Sequence, residues 1–123
     1  MHGAEGWDEP TPLGPFTVLD VRPGLVRAEI RSPSDYGLDL CGTTDLAGGD
    51  AASNARALRA VLVGEDKGAH RDALLLGAAL ALEIVGKVAN PRDGVALARQ
   101  AIDSGAARRV LDSLAAFGNG AGL

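Results

Sequence analysis

Apolar and polar residues alternate over two short stretches near the start of the chain. Residues 16–21 (FTVLDV) and 25–31 (LVRAEIR) flank the Arg-Pro-Gly triplet at 22–24. Proline fixes φ and glycine accepts a positive φ, as a tight turn requires, so the pattern predicts a β-hairpin. A two-stranded hairpin is marginal alone, so we expect its apolar face to lie on the rest of the protein. In the second strand this face carries Val26, Ala28 and Ile30.

After a capped turn over residues 32–38, the period of the apolar residues changes to that of helices. A first helix follows Gly48-Gly49-Asp50 and ends near Gly64. Residues 69–85 are apolar on nearly every side, which predicts a helix surrounded by protein. The apolar stripe expected of the first helix is Ala51, Ala55, Leu58 and Leu62.

Two further helices complete the predicted elements. Asn90, Pro91 and Asp93 supply an N-cap, a proline at the first helical position and an acid in the first turn of a helix that runs to about residue 104. The fourth helix ends near residue 118. Its expected apolar face consists of Val110, Leu111, Leu114 and Phe117.

Length and composition predict one globular domain. The 123 residues are 46% hydrophobic but only 3% aromatic, so burial should rest on aliphatic side chains rather than on rings. We place this domain at residues 1–118 and a flexible tail at 119–123. The formal charge of −4, with scattered basic residues, argues against nucleic acid or an acidic membrane as a partner.

Cysteine usage and hydropathy favour a cytoplasmic protein. Cys41 is the sole cysteine, so no internal disulfide forms, and we expect it to be buried or half-buried. No basic-then-apolar leader opens the sequence. The most apolar window, residues 73–82, is too short to cross a bilayer, which needs about 20 residues.

The candidate chemistry lies in the opening stretch, MHGAEGWDEP. Asp8 and Glu9 are adjacent carboxylates on a glycine-containing loop, where both side chains can turn toward one centre. Mg²⁺ prefers carboxylate oxygens and commonly bridges to substrate phosphates, so the pair predicts a magnesium site for a phosphorylated ligand. Such dipeptides are common, and a solvated loop remains the alternative.

Several ordered segments of the chain resemble the C-terminal third of the anthranilate phosphoribosyltransferase family, in one register to about residue 117. The agreement of successive segments is more specific than any one of them. They are HGAEGWDE (2–9), GPFTVLDVRPGLV (14–26), SPSDYGL (32–38), LAGGDAASNARALRAVLVGEDKG (46–68), RDALLLGAALAL (71–82) and GVALARQAIDSGAA (94–107).

This resemblance implies a fold and an activity. The fold class is α/β, as a fragment of the phosphoribosyltransferase α/β domain, here a β-hairpin plus about four helices and mostly helical. The family transfers phosphoribose from phosphoribosyl pyrophosphate to anthranilate in tryptophan biosynthesis. Asp8 and Glu9 match its Mg²⁺-binding acidic pair. The resemblance assigns no catalytic or substrate-binding residue to this chain.

The resemblance also implies that the chain is incomplete as an enzyme. The family's Gly-Thr-Gly-Gly-Asp phosphate loop and its helical domain have no counterpart in the sequence. We therefore expect the chain to need a complementing N-terminal half and to be inactive without it. A stand-alone helical interaction module is the alternative.

Three residues depart from the family pattern. Trp7 occupies a usually aliphatic position, Pro10 a usually small polar one, and Gly77 a position where asparagine is frequent. Together they leave open a paralogous phosphoribosyltransferase with another acceptor amine.

The other polar candidates favour structural roles. We expect His2 to be exposed, His70 to be solvated or capping, and the Gly48-Gly49-Asp50 segment to begin a helix rather than to cradle an anion. The arginines are interleaved with acids and predict solvated helix faces: Arg56, Arg59, Arg71, Arg108 and Arg109.

Overall fold

The computed structural model describes residues 1–118 and residue 120. A β-hairpin is followed by four helices, and the chain is mostly helical, as the sequence predicts. The predicted tail, residues 119–123, lies outside the described residues except for residue 120. The elements are β1 (Phe16–Arg22), β2 (Leu25–Arg31), α1 (Ala51–Leu62), α2 (Ala69–Ile84), α3 (Pro91–Asp103) and α4 (Ala106–Gly118).

Helix ends fall where the sequence places caps. The Asp50 carboxylate accepts the N–H of Ser53 at 2.7 Å and so begins α1. Asn90 accepts the N–H of Arg92 at 2.9 Å immediately before the proline that opens α3. Gly86, with φ of 68°, follows the end of α2 in the left-handed conformation that suits glycine. Local sequence therefore determines these boundaries.

The hairpin has a regular antiparallel register. Phe16 lies opposite Arg31 at its open end, and Val21 lies opposite Val26 beside the turn. Gly24 adopts φ of 75°, which the turn requires. The predicted strands and their turn are confirmed.

The core joins the hairpin to the helices through two aromatic rings. Phe16 and Tyr36 are each no more than 2% exposed, and their ring centroids lie 6.0 Å apart. Burial otherwise rests on aliphatic residues, as the composition predicts, and these two rings are the aromatic members of the core. The rest of the core is aliphatic: Leu38, Val61, Leu62, Leu75, Leu76, Ala79, Leu80, Val95, Ala98 and Ile102.

Helices α2 and α3 pack closely and run in opposite directions. Near one end of the contact, a Cβ on Gly94 would lie 3.0 Å from the Cβ of Ala79, so any other residue there would push the two helices apart. Near the other end, Arg71 forms an ion pair with Asp103. Arg71 is 9% exposed, which corrects its prediction as a solvated residue. The antiparallel packing places it against the last residue of α3.

Arg31 connects the hairpin to α2. Its guanidinium donates to the Tyr36 hydroxyl at 2.7 Å and to the Glu83 carboxylate at 2.8 Å, and it pairs with Glu29 at 3.0 Å. The Glu83 side chain is only 16% exposed. Burial raises the pKa of Tyr36 to about 12, so its hydroxyl is neutral and accepts the bond from Arg31. We call these four residues the Arg31 cluster.

The apolar face of the hairpin is not buried, contrary to expectation. Val26 is 64% exposed and Ile30 is 81% exposed. The core instead contacts the opposite face, through Phe16 and the half-buried Val18. Within the described residues the sheet has only two strands, and the side chains of the predicted face are exposed.

Two helices also expose apolar residues that the sequence pattern predicts to be covered. In α2, Leu74 and Ile84 are exposed, so the expectation of a helix surrounded by protein is wrong for this part of the chain. In α4, Leu111 is half-buried against the core, whereas the rest of the predicted face is exposed. Of the stripe expected of α1, Leu62 is buried, whereas Ala51, Ala55 and Leu58 are exposed. Val61, outside that stripe, is also buried. The exposed part of the α4 face is Val110, Leu114 and Phe117.

A pair of glycine substitutions tests the α2–α3 contact. We expect Gly94→Ala to lower the free energy of unfolding by about 1 to 3 kcal/mol, because the added methyl group forces the two helices apart. A Cβ on Gly77 meets no atom within 4 Å. Gly77→Ala should therefore raise that free energy by up to about 1 kcal/mol through helix propensity. Urea denaturation measures both changes in the free energy of unfolding. Equal effects of the two substitutions would contradict the close α2–α3 packing.

Replacing Arg31 tests the junction between hairpin and helices. We expect Arg31→Leu to lower the free energy of unfolding by about 2 kcal/mol, because the largely buried Glu83 carboxylate loses its cation. Arg27 is the control, since its side chain is 72% exposed where it pairs with Glu29. Arg27→Leu should change stability by less than about 0.5 kcal/mol. Similar melting temperatures for the two variants would show that the cluster does not hold the hairpin.

Candidate functional site

The loop that carries the acidic pair is attached to the hairpin by its backbone. His2 donates its N–H to the carbonyl of Thr17 at 3.0 Å and accepts the N–H of Thr17 at 2.9 Å. The loop then closes on itself, since Gly3 donates to the carbonyl of Trp7 at 2.8 Å and Trp7 donates to Ala4 at 3.1 Å. We call residues 2–9 the acidic loop. The acidic loop is therefore held in a fixed position relative to β1.

Backbone crowding fixes the shape of the acidic loop. A Cβ on Gly3 would overlap the carbonyl oxygen of Glu9, so this close approach requires glycine. Glu5 adopts φ of 54°, the left-handed region that non-glycine residues rarely occupy. Strained conformations of this kind persist only where the surroundings impose them, and they are common at functional sites.

Asp8 and Glu9 are exposed at the wall of a cavity of about 850 Å³. Neither carboxylate takes part in a hydrogen bond or ion pair within residues 1–118 and 120. The cavity lies between the acidic loop, the start of α1 and the first half of α2, where Leu58 and Ala73 line it. Two exposed carboxylates without a partner in the described residues therefore border a largely apolar cavity.

The two carboxylates meet part of the requirement for Mg²⁺. Among the described residues, no group of three or more His, Cys, Asp or Glu side chains is arranged to hold a metal ion. Mg²⁺, however, is commonly held by one or two carboxylates together with substrate phosphates and water. Asp8 and Glu9 fit that mode, in which the ligand completes the coordination.

The glycine-rich segment before α1 begins that helix, as expected, and its Gly48 and Gly49 also line the cavity beside the acidic pair. Asn54 accepts the N–H of Gly49 at 2.8 Å and donates to the Gly49 carbonyl at 3.1 Å. The bonds from Ser53 lower the pKa of Asp50. A charged carboxylate thus already occupies the helix N-terminus, where it disfavours a phosphate.

The cavity beside the acidic pair is also lined by the three residues that depart from the family pattern, Trp7, Pro10 and Gly77. Thr11 also lines it and was missed by sequence reasoning. The available signal was its position two residues after the acidic pair, since a hydroxyl side chain alone is too common to single out.

His2 is exposed, as predicted. His70 Nδ1 lies 3.2 Å from Asp66 at the start of α2, and His70 also lines the cavity beside Asp8 and Glu9. Cys41 is half-buried, and burial raises the pKa of its thiol, so it is a poor nucleophile. The arginines predicted to be solvated, other than Arg71, are exposed.

No helix in the described part of the chain is long and apolar enough to span a membrane.

Comparison with known proteins places the chain in a family. The profile of the "Glycosyl transferase family, a/b domain" matches residues 1–108. The chain is 45% identical to the anthranilate phosphoribosyltransferase of Parvibaculum lavamentivorans over 98% of its own length and 35% of the relative. It is 50% identical to that of Myxococcus xanthus over 93% of the chain and 34% of the relative. It thus spans about a third of these relatives.

Solved structures agree in fold. The anthranilate phosphoribosyltransferase of Thermus thermophilus superposes with a TM-score of 0.81 at 36% identity, covering 93% of this chain and 33% of that one. The Saccharomyces cerevisiae enzyme in complex with 4-fluoroanthranilate gives a TM-score of 0.83 at 29% identity, covering 90% and 32%. The resemblance seen in the sequence is confirmed, and the chain belongs to the glycosyl transferase family defined by this α/β domain.

Proposed function

We propose that this chain is the C-terminal third of a cytoplasmic anthranilate phosphoribosyltransferase. The complete enzyme transfers phosphoribose from phosphoribosyl pyrophosphate to the amine of anthranilate in tryptophan biosynthesis. The observation that carries the proposal is the unpaired Asp8–Glu9 pair at a cavity wall, in a chain whose relatives across 93% to 98% of its length bear that name.

Asp8 and Glu9 hold Mg²⁺ in this proposal. A neighbouring Saccharomyces cerevisiae structure, a variant of the enzyme, has Mg bound, at a TM-score of 0.82 and 29% identity. When bound, the ion neutralises charge on the departing pyrophosphate. The chain itself supplies a loop whose backbone is fixed by Gly3 and by the pairing of His2 with Thr17, so the segment that carries the two carboxylates is in place before the ligand arrives.

The rest of the active site comes from a complementing N-terminal half. The exposed apolar faces of the hairpin and α4 support this partner, because monomeric proteins seldom leave several such faces uncovered. The same faces would serve a stand-alone interaction module.

A different acceptor amine is the second candidate for the complete enzyme. Trp7 and Gly77 line the cavity of the acidic pair. Trp7 is larger, and Gly77 smaller, than the residue usual at that position in the family, so the two substitutions change the shape of the cavity. A panel of aromatic amines distinguishes this candidate from anthranilate.

A chimeric enzyme tests the role of the acidic pair. This chain replaces the matching third of the Parvibaculum lavamentivorans relative, and phosphoribosyl transfer is followed by the loss of anthranilate fluorescence. We expect Asp8→Asn with Glu9→Gln to lower kcat/KM at least about 100-fold, with little change in melting temperature, because the variants remove charge and preserve shape.

The matched control for the chimera is Glu65→Gln. Glu65 is exposed and lies outside the cavity, so its substitution should leave kcat/KM unchanged. Retention of full, Mg²⁺-dependent activity in the Asp8, Glu9 double variant would rule out the proposed metal site.

A further inference from the structure

An apolar groove of about 750 Å³ lies between α1, α2, α3 and α4. We call it the Leu74 groove, and its lining includes Leu58, Leu74, Ala78, Leu97, Ala101 and Leu114. None of the described side chains that line it is charged. Because the centres of protein interfaces are depleted of charge in the same way, the groove suits an apolar surface of another polypeptide.

The Leu74 groove is continuous with the cavity of the acidic pair. Leu58, Leu74 and Ala78 line both of them. Leu74 is 37% exposed at this boundary, and Leu114 is 64% exposed at α4, away from the acidic loop. An occupant that covers the groove as far as Leu74 therefore also borders the cavity.

The chain exposes more surface than a folded monomer of its mass. Its accessible surface is 7817 Å². A folded monomeric protein of 12.5 kDa exposes about 6,200 Å², so the excess is about 1,600 Å². A standard interface buries about 800 Å² per partner, and permanent complexes bury more. The excess therefore matches the area that a permanent partner covers.

The comparison with relatives indicates which partner this is. The chain spans about a third of the relatives that it matches, so two thirds of their length has no counterpart among its residues. A second copy of the chain is disfavoured, because each copy carries a formal charge of −4 and the two repel each other.

We infer that the N-terminal half of the complete enzyme docks in the Leu74 groove, and that the segment docked there forms the far wall of the cavity beside Asp8 and Glu9. The inference rests on the proposed function, because that function supplies the partner. It adds that docking of the partner and completion of the ligand cavity occur at one contact, at the boundary residue Leu74.

Thiol labelling measures which residues are covered. Leu74→Cys and Leu114→Cys are made separately in a Cys41→Ser background, both in the 123-residue chain and in the chimera with the Parvibaculum lavamentivorans relative. Peptide mass spectrometry gives the rate at which iodoacetamide modifies each site. We expect both cysteines to react at least about 30-fold more slowly in the chimera, because a covered thiol reacts only when the contact opens.

Leu40→Cys is the matched control. Leu40 is 67% exposed and lines neither the groove nor the cavity of the acidic pair. Its cysteine should react at rates that differ by less than about 3-fold between the two proteins. If Leu74→Cys does not fold, Leu58→Cys reports on the same boundary, since Leu58 lines both spaces and is 37% exposed.

Three results would overturn the inference. Equal rates in the chimera and in the chain at both test positions would show that the partner does not cover the groove. Protection of Leu114→Cys with Leu74→Cys still reactive would show that the occupant stops short of the cavity. Protection in the chain alone that increases with its concentration would identify a second copy as the occupant.

The outcome is separable from that of the proposed function, because labelling requires neither Mg²⁺ nor phosphoribosyl pyrophosphate. If the test cysteines are unprotected in a chimera whose transfer activity depends on Asp8 and Glu9, the docking surface is wrong and the proposed function survives. If they are protected in a chimera that stays active without the two carboxylates, the metal site is wrong and the docking surface stands.

Discussion

The Arg31 cluster is the interaction on which the rest of the structure depends. A hairpin of two strands is not stable by itself, and this one is attached to α2 by a guanidinium that reaches Glu83 and Tyr36. Because β2 is fixed in this way, its partner β1 is fixed also, and β1 holds the acidic loop through the pairing of Thr17 with His2. The acidic loop thus owes its position to a contact on α2.

Local elements of this fold were predictable because their signals are local. Asp50 and Asn90 cap their helices through bonds to residues only two or three positions away, and Gly24 and Gly86 adopt the positive φ values that end a strand or a helix. The acidic pair was likewise visible as a dipeptide on a glycine-containing loop. Thr11 was not, because only tertiary packing shows that its hydroxyl is buried and lacks a partner.

Burial was predicted less well than secondary structure, and the errors share one cause. The alternation in β2 correctly identifies an apolar face, yet Val26 and Ile30 are exposed in a chain that spans about a third of its relatives. A periodic pattern shows that a face is apolar and does not show which segment covers it. The prediction for Arg71 was wrong in the opposite sense. It was expected to be solvated and is buried, because its partner Asp103 lies on another helix.

The most direct test of the account is an assay of the chain alone and in a mixture with the separately produced remaining two thirds of a relative. Loss of anthranilate fluorescence is followed with phosphoribosyl pyrophosphate and Mg²⁺ present. The account predicts turnover when the two are mixed and none by the chain alone, because it assigns the phosphate loop to the remaining two thirds. Turnover by the chain alone would contradict it.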